Sequence, residues 1–337
     1  MYLRTLPFFY TCLVKKQYGI LFLFYLLFSC KEEGSDPLFS LLSESQTGIS
    51  FRNELTYNEK INPYTFRNFY NGAGVAIGDI NQDGLPDIFL ASNQQSNRLY
   101  LNTGELNFKD ITETAGLNSS GSWSTGVSMA DVNGDGYVDL VVPGAKGQST
   151  QLLLQSSSGT WKASQTTLFD QDSLSEDVVS HFFDANGDGA VDLLVGSGGI
   201  EFSDYAPNYQ DRLYLNDGKG KFTRSAQQFS PTPSSFLLSW DGDQDGDLDL
   251  IVGQRAIPFG YGIPVGVQFW QNDGKGNFTD QSATWGKDFA ALGMLTDGAL
   301  ADLDGNGKPE LVLAGEWMPI RIFTWNSGSW TETTTQF

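Results

Sequence analysis

The chain has 337 residues, 40 of them Asp or Glu against 20 Lys or Arg, and a net charge of -20. That balance, without any basic stripe, excludes nucleic acid as a partner. Its 38 glycines, 13% aromatic content and lack of long helical periodicity point to an all-β protein rich in turns.

Lys15 and Lys16 precede an apolar run from Ile20 to Phe28, which ends in Ser29-Cys30. A basic stretch before a short apolar one is the pattern of a secretory signal, too short to be a spanning helix. Residues 1–29 are therefore expected to be a signal peptide. Cys30 resembles the lipidated first residue of a bacterial lipoprotein, although Phe28 departs from the small residue common there. Lys31-Glu32-Glu33 is similar to the Lys-acidic-acidic signal that sends some lipoproteins to the cell surface. The resemblance implies a lipid anchor at Cys30, a tether over 30–37 and a surface-exposed place on the outer membrane. Cys12 falls within the signal, so the exported part is expected to hold no disulfide.

From residue 79 onward one nine-residue pattern, D-x-[DN]-x-[DN]-G-x-x-[DE], occurs five times. Position 1 is Asp79, Asp131, Asp184, Asp241 and Asp302. Position 3 is Asn81, Asn133, Asn186, Asp243 and Asp304. Position 5 is Asp83, Asp135, Asp188, Asp245 and Asn306, and position 9 is Asp87, Asp139, Asp192, Asp249 and Glu310. Oxygen side chains at alternate positions of a tight loop suit a hard cation such as Ca²⁺, which takes six to eight oxygens. Gly at position 6 permits the turn. The backbone carbonyl of position 7 (Leu85, Tyr137, Ala190, Asp247, Lys308) is expected to complete the shell, with the Asp247 side chain turned outward. The loops are not EF-hands, because position 12 is apolar and the flanks read as strands. Loop 4 is richest in carboxylates; loop 5, with Asn306 and Glu310, is expected to bind more weakly.

The first-position aspartates are spaced 52, 53, 57 and 61 residues apart. Each unit has an apolar strand on either side of the loop. Further on come segments such as Arg98–Asn102, Arg212–Asn216 and Val267–Asn272, then Asn-Asp-Gly turns and a last short strand. Four strands at this period predict propeller blades. The repeats, with Phe69–Ala76, Gln210–Gly218 and Gly315–Pro319, resemble FG-GAP/VCBS repeats of the integrin-α type, and more narrowly the bacterial VCBS-repeat proteins related to cartilage acidic protein. The resemblance covers 38–337 and implies a calcium-binding β-propeller. Such rings usually have seven blades, and five are visible here. Leu38 to Phe51 resembles an outer strand that would close the ring against the last blade.

His181, the single His, reads as a packed strand residue. With Cys30 given to the lipid, Cys-His and Ser-His-Asp chemistry find no support. Two long aromatic insertions, Gly198–Gln210 and Arg255–Val265, are expected on one face of the ring, where exposed rings would stack on sugars or grip a peptide. The sequence thus predicts a calcium-stabilised, surface-anchored propeller that binds a protein or glycan without catalysis. The alternatives are a propeller enzyme acting on polysaccharide and a structural subunit of a surface complex.

Overall fold

The computed structural model describes residues 38–117, 122–202 and 206–336. The expected signal peptide, Cys30 and the tether lie outside them. Residues 38–43 fall in a separate unit and contain no helix or strand. The second unit, Glu44–Phe337, contains five four-stranded antiparallel sheets, each in sequence order. Blade 1 is β1 Val75–Gly78, β2 Asp87–Leu90, β3 Arg98–Asn102 and β4 Phe108–Asp110; blade 2 is β5 Ser128–Ala130, β6 Asp139–Val142, β7 Gln151–Gln155 and β8 Trp161–Ala163. Blade 3 is β9 Asp177–Phe183, β10 Asp192–Ser197, β11 Arg212–Asn216 and β12 Phe222–Arg224. Blade 4 is β13 Ser234–Trp240, β14 Asp249–Gln254, β15 Val267–Asn272 and β16 Phe278–Asp280; blade 5 is β17 Met294–Ala301, β18 Glu310–Glu316, β19 Arg321–Asn326 and β20 Ser329–Glu332. This is the propeller-type fold of four-stranded blades that the repeat period predicts.

The first strands of consecutive blades lie side by side, β1 by β5, β5 by β9, β9 by β13 and β13 by β17. Second strands are sandwiched between neighbouring blades, which is why they read as unbroken apolar runs: Leu140, Val141 and Val142 are all buried. Four apolar clusters fill the spaces between successive blades. The one between blades 4 and 5 is aromatic, with Trp240 edge-on to Trp285 at 5.3 Å and to Trp325 at 4.9 Å. Among the described residues no apolar cluster joins blade 5 to blade 1, and β1 leaves Val75 and Ile77 exposed.

The strand expected over Leu38–Phe51 does not form. Within the second unit the chain instead makes one short helix, α1 Glu44–Thr47. It then turns at Gly48, whose φ is 77°, against the outer edge of blade 1. A Cβ at Gly48 would collide with the carbonyl oxygen of Phe108. Within the second unit the turn at Gly48 therefore lies against β4 of blade 1, and no strand from this stretch joins the sheet of blade 5.

Candidate functional site: five oxygen-rich loops and an acidic cavity

The five loops join the first strand of each blade to the second, so all occupy one end of the sheets. Each loop is a ladder of side-chain acceptors on backbone donors. In loop 2, Asp131 Oδ1 accepts the Gly134 N–H at 2.8 Å and Asp131 Oδ2 accepts that of Gly136 at 2.8 Å. Asn133 Oδ1 accepts the Asp135 N–H at 3.0 Å, and Asp135 Oδ1 that of Tyr137 at 2.9 Å. The same bonds from position 5 recur at Leu85, Ala190, Asp247 and Lys308. Position 6 is left-handed in every copy, with φ between 82° and 97° (Gly84, Gly136, Gly189, Gly246, Gly307). Position 4 is left-handed too, and there loops 1 and 4 place Gln82 and Gln244 at φ 63° and 65°. Gly136→Ala is expected to cost about 1–2 kcal/mol in a urea melt through this conformation alone, since space for the methyl exists.

Position 9 has a second task that the motif does not announce. Asp87, Asp139, Asp192 and Asp249 are buried, and each carboxylate bridges two backbone donors. Asp249 Oδ2 accepts the Gly242 N–H at 2.8 Å and Oδ1 accepts the Asn272 N–H at 2.8 Å. The loop is thereby clamped to the third strand of its own blade. Burial, offset by these bonds, raises the carboxyls of Asp139, Asp192 and Asp249 to about 6. The polar residue ending the third strand then reaches the preceding blade. Gln155 donates to the Ile80 carbonyl, Asn216 to that of Val132 and Asn272 to that of Ala185, each at 2.8 Å. What the three share in sequence is only an amide side chain, Asn or Gln, at the end of the third strand.

The donors fit a hard divalent cation best in loops 4 and 5. Oxygens of Asp241, Asp243 and Asp249 lie within 4.8 Å of one another, as do those of Asp302, Asp304 and Glu310. Asp241 Oδ1 and Glu310 Oε1 are buried without a hydrogen-bond partner, so each loop has an oxygen to spare for an ion. Asp247 leans toward the neighbouring turn, where its carboxylate would block a Cβ at Gly274. His181 is a strand residue: Nε2 lies 2.9 Å from Ser239 Oγ, the ring stacks on Phe183, and burial lowers its pKa to about 4.

At the opposite end of the strands is a cavity of about 740 Å³. Its wall is built from the starts of first strands (Val178, Ser234, Thr296) and the ends of second strands (Gly198, Arg255, Glu316), with Arg67, Asn68, Tyr70 and Trp123 from connecting segments. Both aromatic insertions contribute, through Ile200 and Tyr261. The cavity holds two carboxyls in contrasting surroundings. Glu176 is 1% exposed, and its Oε1 accepts the Asn68 Nδ2–H at 2.8 Å. Burial, reinforced by the charge of Glu201 and a hydrogen bond shared with it, pushes Glu176 up to about 8, against the pull of Asn68 and Lys146. Glu201 is itself held in place by the backbone N–H groups of Arg67 at 2.9 Å and Ile200 at 3.0 Å. For Glu316, burial raises the pKa, but hydrogen bonds from Tyr261 and Arg255, with the charge of Arg255, outweigh it and hold the carboxyl below its usual value. Arg255 Nε donates to Glu316 Oε1 at 2.7 Å.

With blades, loops and cavity in view, the class is defined: a propeller-type protein of oxygen-rich strand–loop–strand repeats. A model of the FG-GAP-like repeat matches residues 79–142 and 241–313, which are blade 1 into blade 2 and blade 4 into blade 5. The chain thus carries FG-GAP-like repeats over these two stretches. It is similar to cartilage acidic protein 1 of Homo sapiens, 27% identical over 306 residues, covering 88% of this chain and 36% of that protein. The Xenopus tropicalis protein of the same name is 26% identical over 294 residues, covering 85% and 35%. The chain thus spans about a third of the length of these relatives.

Solved structures with a similar arrangement include a thermostable family-43 glycoside hydrolase, with a TM-score of 0.43 and 11% identity, covering 77% of this chain and 94% of that one. A GH43 β-1,3-galactosidase with bound galactodeoxynojirimycin has a TM-score of 0.44 and 12% identity, covering 77% and 92%. The expectation of a module without catalysis is corrected here. The fold's neighbours include enzymes, so the architecture gives no ground for excluding one.

Proposed function

We propose that this propeller is a carbohydrate-active protein that cleaves glycosidic bonds in the cavity opposite its loops. The observation that carries this reading is the pair of cavity carboxyls, Glu176 protonated at neutral pH and Glu316 ionised. Two carboxyls whose surroundings drive their pKa values apart are what acid–base cleavage of a glycoside requires. Glu176 gives its proton to the glycosidic oxygen as the bond to the anomeric carbon breaks. Glu316 takes a proton from the water that adds to that carbon. Tyr70 offers exposed apolar surface to the sugar ring, and the exposed Arg67 guanidinium offers hydrogen-bond donors to its hydroxyls.

The loops are proposed to hold Ca²⁺ as a structural ion, loops 4 and 5 through the carboxylates named above. There the ion would neutralise converging charges that otherwise repel. It takes no part in the proposed cleavage, since the cavity lies at the far end of the strands.

The test is release of reducing ends from a panel of neutral polysaccharides and aryl glycosides. Glu176→Gln is expected to lower kcat about 10²–10⁴-fold, the range for a lost general acid. Undiminished cleavage by Glu176→Gln, or no cleavage of any substrate by the wild type, would overturn the proposal.

A further inference from the structure

We infer that the substrate is a neutral sugar chain longer than the cavity, its further units held on an aromatic platform at the cavity rim. This rests on the glycan-cleaving reading. Tyr261 lines the cavity, and its ring meets that of Trp317 edge to face at 5.8 Å and 80°. Trp317 is 81% exposed and Phe259, on the same loop as Tyr261, is 78% exposed. The loop passes close beneath the indole, because a Cβ at Gly262 would lie 3.6 Å from Trp317.

Two features separate this patch from ordinary exposed side chains. First, Phe259 and Trp317 are both left-handed, at φ 58° and 57°. Bulky residues seldom adopt that conformation, and such outliers cluster at functional sites. Here the backbone departs from its preferred regions at two residues that present their rings largely to solvent. Second, the platform is fixed from below. Glu316, next to Trp317 in the chain, is bound by Arg255 and by the Tyr261 hydroxyl, and the Arg255 guanidinium lies 5.9 Å over the Tyr261 ring. The base proposed for cleavage and the platform therefore share one rigid cluster.

The chemistry favours sugar as the occupant. Aromatic faces beside hydrogen-bonding carboxylate, guanidinium and hydroxyl groups match a ring with one C–H face and hydroxyls at its edge. A net charge of -20 disfavours an anionic lipid surface or an acidic polymer. With the cavity occupied by the residue being cleaved, the rim is left for the neighbouring units. Binding energy gained there would act on cleavage of the chain rather than of a small glycoside.

The inference is tested with Trp317→Ala and, as the conservative control, Trp317→Phe. The site is exposed, so folding of both variants is checked by an unchanged melting curve. In the otherwise full chain carrying Glu176→Gln, affinity electrophoresis against neutral polysaccharides should show binding that falls about tenfold with Trp317→Ala and is kept by Trp317→Phe. In the active chain, Trp317→Ala should lower kcat/KM for the polymer about tenfold more than for a short aryl glycoside. Equal losses on long and short substrates would overturn the platform while leaving the cleavage reading intact. Polymer binding that depends on Trp317 in a chain that cleaves nothing would retain the platform and overturn the cleavage reading. Trp317-dependent binding to lipid vesicles or to protein, with none to polysaccharide, would overturn the inference.

Discussion

Asp249→Ala is expected to lose about 2–6 kcal/mol of stability even with calcium chelated, through its backbone bonds alone, in addition to its share in the cation site. The estimate takes about 1–3 kcal/mol for each buried donor left without its acceptor. Two are orphaned, the N–H groups of Gly242 and Asn272, which both bond to this carboxylate at 2.8 Å. Asn272 is also the residue that stitches blade 4 to blade 3 through the Ala185 carbonyl, so the damage should spread to that boundary. Asp245→Ala should behave differently. Asp245 is exposed, and in loop 4 it accepts the Asp247 N–H at 3.0 Å. Its loss should matter in calcium and vanish in EDTA. Urea melts of both variants in the two conditions make the comparison. A loss from Asp249→Ala that vanishes in EDTA, as that from Asp245→Ala should, would contradict the role of Asp249 as a backbone clamp.

Arg212→Met is expected to cost about 3–5 kcal/mol, the range for breaking one side of a buried ion pair. Arg212 is 3% exposed and pairs with Asp177, which is 4% exposed. Asp172 is 4.0 Å from Arg212 and receives Arg224 at 2.7 Å and the Tyr214 hydroxyl at 2.9 Å. Thr150 donates to Asp177 at 2.6 Å, tying the network to blade 2. Removing the guanidinium strands a buried carboxylate. Asp177→Asn in the same chain should therefore recover part of the loss, because the penalty belongs to the uncompensated charge. A double variant no better than Arg212→Met, measured by urea unfolding, would place the cost in lost packing instead.

The repeat architecture was legible because it is written locally. Nine consecutive residues set each loop, and the apolar runs beside it are short enough to read as strands. Even there, the pattern concealed which oxygen does what. Asp87 and Asp83 look alike as letters, but one is buried on two backbone donors and the other stays at the exposed rim. The left-handed backbone at Gln82 and Gln244 was hidden because only the glycine copies of position 4 hint at it. The cavity was far less legible. Glu176, Glu201 and Glu316 sit far apart in the chain and carry no shared motif. Only the turning of successive blades brings the ends of their strands to one wall. Glu316 stood in the segment Gly315–Pro319 as a cue to the repeat family, with nothing in its neighbours to announce Arg255 or Tyr261. The two aromatic insertions do share one end of the sheets, because each joins the second strand of its own blade to the third, and both reach the cavity. The failure at Leu38–Phe51 is instructive in the same way: in the second unit's part of that string, a short helix and a glycine turn against the outer edge of blade 1 take the place of a strand.

The most direct test of the account is the pH dependence of kcat/KM for glycan cleavage by the wild-type chain. A general acid must be protonated to act, so activity is predicted to fall as pH rises through about 8, where Glu176 loses its proton. On the acid side, activity should persist to below the ordinary carboxylate range, because Glu316 is held ionised by Arg255 and Tyr261. Glu201→Gln, which removes the neighbouring charge that helps raise Glu176, should move the alkaline limb to lower pH. A rate that stays level through pH 8, or an alkaline limb that Glu201→Gln leaves in place, would contradict the assignment of Glu176 as the proton donor.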